Sequence, residues 1–212
     1  MSGYLVGAGW LLVGAAVGFG IRRLSVWLAR LEKLEPGFKR WQVWGPVILN
    51  AALYAVAGWR FGATYTLLIV SLWIALLVQV IFFDLEHRLI LDRLMFPAYA
   101  AALLLSIWTP HLGWKQAALT GVVAGGVFLV LAVLGAVIFR GEVLGIGDVK
   151  LAVFIGLVLG LVGTLNALLL GVLLAGVTSI VLIAIRVKGF KDTLAYGPYL
   201  CVGALVLLLQ QG

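Results

Sequence analysis

The chain has 212 residues, 64% of them hydrophobic and only 11% charged, with a mean hydropathy of +1.19. That balance excludes a soluble globular domain, and apolar runs that do not alternate with polar residues argue against a membrane barrel. The formal net charge of +7 lies in short segments between apolar runs, so it reads as a device of membrane orientation and excludes a nucleic-acid partner.

Taken in chain order, apolar runs near the ~20 residues needed to cross a bilayer predict an all-α, polytopic membrane protein. About eight transmembrane helices form a single domain over residues 1–212. The first span covers 4–21; no basic residue precedes it, as a cleaved signal peptide would require, so it reads as a retained span. Its glycines (Gly7, Gly9, Gly14, Gly18 and Gly20) predict close helix packing. Residues 22–40 read as a basic cytoplasmic loop. It holds an amphipathic surface helix, with Leu24, Trp27, Leu28 and Leu31 at helical spacing, ended by Pro36 and Gly37. The loop's cations suit a bilayer with anionic headgroups. Further spans cover 43–58, 64–83, 94–108 and 117–139, with Trp108 and Trp114 at interfacial positions. A sixth span runs to about 161, Gly163-Thr164 makes a turn, and the last two spans cover 165–185 and 194–209.

With the amino terminus outside, thirteen of the fifteen Lys and Arg residues fall on inside loops, leaving Arg60 and Lys115 outside. This is a strong positive-inside bias. All eight acidic residues also fall inside, so segments 84–93 and 140–150 emerge together on the cytoplasmic face as the expected catalytic loops.

The second of these segments opens the stretch RGEVLGIGDVKL, in which Gly145, Ile146, Gly147 and Asp148 form a G-x-G-D tetrad before a long apolar run. A carboxylate at the mouth of a membrane helix is costly to keep, and glycines permit a tight turn or a close approach of another backbone. The first segment, DLEHRLILDR, places Asp84 at the end of the third span. Two carboxyl groups held close can share a proton: one serves as general base on water, the other as general acid toward the carbonyl and leaving amine. Asp84 and Asp148 are therefore the expected pair of a membrane aspartyl protease. The simpler role open to Asp148 is the N-cap of the sixth span. Glu86 and Asp92 read as solvated or ion-paired with Arg88 and Arg93, and His87 as a residue facing headgroups. Gln79 and Asn166 read as bonding across helices. The one cysteine, Cys201, reads as a packing residue; no intramolecular disulfide, Cys-x-x-Cys zinc site, metal or cofactor is expected.

Three stretches in order, DLEHRLILDRLMFP from Asp84, RGEVLGIGDVKL from Arg140 and YGPYLCVGA from Tyr196, carry a resemblance to a known family. The chain resembles the type IV prepilin peptidases, or type IV leader peptidases, which are G-x-G-D membrane aspartyl proteases. The resemblance implies that Asp84 and Asp148 are catalytic and that Gly145, Gly147, Gly197 and Pro198 shape the backbone. It implies a substrate or structural supporting role for Asp92 and Lys150. It also implies the substrates: prepilins or pseudopilins, whose short basic leader is cut from a hydrophobic helix at the cytoplasmic face of the inner membrane. Two departures stand out. Leu91 occupies the place where the family usually has proline, and the first cytoplasmic loop has no cysteine where bacterial members commonly bind zinc through paired Cys-x-x-Cys motifs. The chain thus reads as a short, peptidase-only form, without zinc and without N-methyltransferase activity.

Other functions fit less well. A presenilin-like protease would set its first aspartate inside a span after tyrosine, whereas Asp84 follows Phe82 and Phe83 at a span end. A transporter or channel would hold carboxylates near mid-bilayer, whereas here all acids fall at one face. A purely structural subunit leaves the three stretches unexplained.

Overall fold

The computed structural model describes residues 2–109, 112–139, 144–185 and 195–211. His111, the start of the RGEVLGIGDVKL stretch at 140–143 and the whole basic loop at 186–193 lie outside the described residues. Among the described residues the chain forms seven helices and no strand. These are α1 (Ser2–Leu31), α2 (Arg40–Phe61), α3 (Tyr65–His87), α4 (Asp92–Leu105), α5 (Trp114–Phe139), α6 (Ile146–Ala184) and α7 (Gly197–Gln210). By length and composition, α1, α3, α5 and α6 can each cross a membrane. The fourteen residues of α4 rise only ~21 Å against a hydrocarbon core of ~30 Å. The chain divides into two compact units, Met1–Arg88 with Leu208–Gly212, and Leu89–Leu207.

In the first unit α1 packs on α2 through a seam without side chains. A Cβ on Gly14 would come within 2.6 Å of Tyr54 Cβ and 2.9 Å of Ala51 Cα; one on Gly18 would meet Val47 Cα at 2.5 Å. Gly7 packs in the same way on Ala55, where a Cβ would meet the carbonyl oxygen at 2.9 Å. Gly9 and Gly20, expected in the same seam, face open space. Polar groups inside the bundle bond across it, as an apolar medium demands. Asn50 Nδ2 donates to the Gly14 carbonyl (2.9 Å), Tyr54 Oη to the Ser71 carbonyl (2.8 Å) and Gln79 Nε2 to Ser25 Oγ (2.9 Å).

Part of the expected loop at 22–40 is helix: α1 continues unbroken to Leu31, so the predicted surface helix is continuous with the helix of the first span. Leu28 and Ala29 are buried there while Leu24, Trp27 and Leu31 point outward. Arg22 faces inward and is buried, so it is not a cation for lipid headgroups.

In the second unit α5 and the first part of α6 run antiparallel, in contact at Gly121 and Gly156, where a Cβ on Gly156 would lie 2.8 Å from Gly121 Cα. α6 breaks at Gly160, whose φ of 67° and ψ of 179° belong to a region that is essentially glycine-only. A straight helix would separate residues 155 and 164 by ~13 Å, yet Thr164 Oγ1 is 3.4 Å from the Ile155 carbonyl and donates to the Gly160 carbonyl at 2.6 Å. The chain therefore doubles back at Gly160, three residues before the Gly163-Thr164 turn read from the sequence, with Thr164 closing the bend. The second part of α6 receives α7, where a Cβ on Gly171 would lie 2.8 Å from Leu200 Cα. Asn166 is exposed on α6 and makes no hydrogen bond across helices among the described residues.

Candidate active site

Each expected carboxylate is built into a terminal turn of a helix. In the first unit α3 is apolar through Phe83, and its C-terminal turn then carries Asp84, Glu86 and His87. Asp84 is 6% exposed, and its carbonyl accepts the Arg88 N–H at 2.7 Å, with Arg88 left-handed at φ 53° to end the helix. Glu86 finds its partners elsewhere in the first unit. Arg22 Nη1 donates to its Oε2 at 3.0 Å and the Gly37 N–H donates to its Oε1. His87 is folded inward against the ring of Phe83, 4.8 Å between centroids, and does not face headgroups.

In the second unit α6 starts at Gly145, its N-cap, with extended backbone (φ −74°, ψ 150°). That conformation does not require glycine, and a Cβ there would make only ordinary contact with Asp148 Oδ2 at 3.6 Å. Asp148 is therefore not the N-cap; it is the third helical residue. Its Oδ2 reaches back to accept the Gly145 N–H at 3.2 Å, which satisfies one of the first-turn donors that a helix leaves open. The side chain is 8% exposed.

Gly147 lies in a closer contact than Gly145. A Cβ there would lie 3.2 Å from Ile90 Cβ, so the tetrad packs flat on the segment that leads into α4. Two further links join the same stretches. Lys150 Nζ is ion-paired with Asp92 Oδ1, and Tyr99 Oη donates to the Lys150 carbonyl at 2.8 Å. Asp92 thus pairs with Lys150. Leu91, which stands in for proline before α4, has φ −78° and ψ 131°. Those angles match what proline imposes, so the turn is kept without it.

Gly197 and Pro198 form the first turn of α7, both buried. The Tyr196 carbonyl accepts the N–H groups of Tyr199 (3.0 Å) and Leu200 (3.1 Å); Pro198, with no N–H, costs nothing so early in a helix. Cys201 is buried in the same helix. Among the described residues no three His, Cys, Asp or Glu side chains are grouped as a metal site needs.

The residues missed by sequence reading are Arg22, Gly37, Ile90 and Tyr99. All four act through partners distant in sequence or through backbone atoms, so no local pattern marks them.

A sequence model of the type IV leader peptidase family matches residues 71–180, just over half the chain, and the match encloses both Asp84 and Asp148. A prepilin leader peptidase/N-methyltransferase of Bacillus subtilis (strain 168) is 39% identical over 107 residues, 49% of this chain and 40% of the relative. A protein of the same name from Legionella pneumophila is 26% identical over 163 residues, 76% of this chain and 56% of the relative. The chain spans about half the length of the curated relatives it matches. No solved structure matches it significantly.

Proposed function

Because the chain belongs to the type IV leader peptidase family, we propose that it is a membrane aspartic endopeptidase that removes the short basic leader from type IV prepilins or pseudopilins. Cleavage takes place at the cytoplasmic face of the inner membrane. Asp84 and Asp148 form the carboxylate pair. One takes a proton from water as it attacks the scissile carbonyl, while the other protonates the carbonyl oxygen and, as the tetrahedral intermediate collapses, a proton passes to the leaving amine. Gly147 lets the α6 start lie against Ile90, and Asp92 and Lys150 brace the same corner. The substrate's basic leader is drawn to the anionic membrane surface, and its hydrophobic helix lies in the bilayer. The relatives' names carry two activities; the proposal takes the peptidase alone, because the matching family is one of leader peptidases.

The observation that supports this most is the pair of buried carboxylates, each in a helix-terminal turn and each inside the matched region. The test is a gel-shift assay in detergent with a prepilin from the same genome, using native protein, Asp84→Asn and Asp148→Asn. Native protein is expected to shorten the prepilin by its leader and both variants to leave it whole while remaining folded. Cleavage by either folded variant would overturn the aspartate mechanism. Mass spectrometry of the product reads whether its new amino terminus is methylated.

A further inference from the structure

The end of α3 is gripped by a charged clasp that the proposed chemistry does not use. Arg22 is 8% exposed and the Glu86 side chain 6%. Arg22 Nη1 donates to Glu86 Oε2, Arg22 Nη2 donates to the Gly37 carbonyl, and the Gly37 N–H donates to Glu86 Oε1. The guanidinium also lies over the Phe38 ring, 5.7 Å from its centroid. One buried ion pair therefore ties three pieces of the first unit: the last turns of α1, the connection at 32–39 and the C-terminal turn of α3.

A buried charge is tolerated only when paired and hydrogen-bonded, and both groups here are. Such a pair adds little net stability over an apolar pair of the same size. Its contribution is registry: the planar guanidinium fork fixes the angle at which carboxylate and backbone carbonyl meet, which a lysine ammonium cannot do. The need for registry follows from position. Asp84 lies in the same final turn as Glu86, and helix ends are the part of a helix that opens first. Carboxylates in that turn also face the negative end of the helix dipole, and Arg22 supplies opposing charge.

We propose that Arg22 and Glu86 are positioning residues, which lock the 32–39 connection onto the end of α3 and thereby hold Asp84 in its working place without touching substrate. The catalytic consequence rests on the peptidase reading; the clasp itself does not.

Two readouts on the purified, detergent-solubilised chain test this. The first is trypsin cutting at Lys33 and Lys39 in the clasped connection and at Arg40 just after it, all exposed. The second is prepilin cleavage, resolved into kcat and KM. Glu86→Gln keeps the shape but leaves Arg22 without its counter-charge. Arg22→Lys keeps the charge but loses the fork, and serves if the first variant folds poorly. Both are expected to speed tryptic cutting on the order of tenfold and to lower kcat about tenfold with KM unchanged, as misplacement of a reacting group does. Arg30→Gln, an exposed change on the same helix, is expected to leave both readouts native. Native tryptic rates in both clasp variants overturn the proposal, and so does a freed connection with kcat unchanged. If the native protein cuts no prepilin, the peptidase reading fails, while the tryptic comparison still decides whether the clasp exists.

Discussion

Gly147 has no side chain where Ile90 packs against it, and a Cβ there would stand 3.2 Å from Ile90 Cβ. Gly147→Ala is therefore expected to force Ile90 aside at a cost of about 1–3 kcal/mol, and to slow leader cleavage with it. Adding Ile90→Ala makes room and should recover part of the activity. Thermal unfolding and cleavage rates of the two single variants and the double variant check this. Strictly additive losses would show that the crowding lies elsewhere.

Asp148 Oδ2 holds the Gly145 N–H, so substitutions there separate capping from catalysis. Asp148→Asn retains an acceptor and is expected to keep stability within about 1 kcal/mol of native while abolishing cleavage. Asp148→Ala should abolish cleavage as well and lower stability by roughly a further 1 kcal/mol. Equal unfolding temperatures for the two variants would remove the capping role.

The α1–α2 seam makes a contrast between two glycines of one helix. Gly14→Ala must part the helices, since its Cβ would meet Tyr54 Cβ at 2.6 Å, and is expected to cost about 2 kcal/mol or more. Gly9→Ala enters open space and should stay within about 0.5 kcal/mol of native. Unfolding of both in the same detergent provides the comparison, and an equal response would mean the seam is not close-packed.

Gly160→Ala is expected to be destabilising by about 1–3 kcal/mol through backbone strain alone, and more because its Cβ would lie 2.9 Å from Leu112 Cδ1. Gly176→Ala, on the same helix with nothing within 4 Å, is the control and should be neutral or slightly stabilising. The measurement is thermal unfolding, and a neutral Gly160→Ala would contradict the bend.

The helical, membrane-embedded character of the chain and the two carboxylates at helix ends were legible in the sequence because they follow from local composition. What escaped it depends on partners far along the chain. Arg22, Arg23 and Arg30 interrupt the apolar run, so composition ends the first span at 21. The backbone carries on to Leu31, and the Arg22 charge is matched by Glu86, 64 residues away. Glu86 and Asp92 were read as solvated or ion-paired with Arg88 and Arg93; the fold pairs Glu86 with Arg22 and Asp92, half exposed, with Lys150. The N-cap was the simpler alternative open to Asp148; Gly145 takes that position, and Asp148 supports it from within the helix. The bend in α6 lay among several glycines with no charge to choose between them. Only the contact with Leu112 and the hydroxyl of Thr164 single out Gly160.

That bend has a consequence for biogenesis. No Asp, Glu, Lys or Arg occurs between Leu151 and Ile185, so nothing in this stretch can be anchored in cytosol by charge as the chain inserts. The two arms of α6 can therefore enter the bilayer together as a hairpin, with the tip carried across at little electrostatic cost. If the arms cross in this way, backbone geometry at Gly160 sets whether this stretch makes two passes or one, and with it the parity of everything that follows.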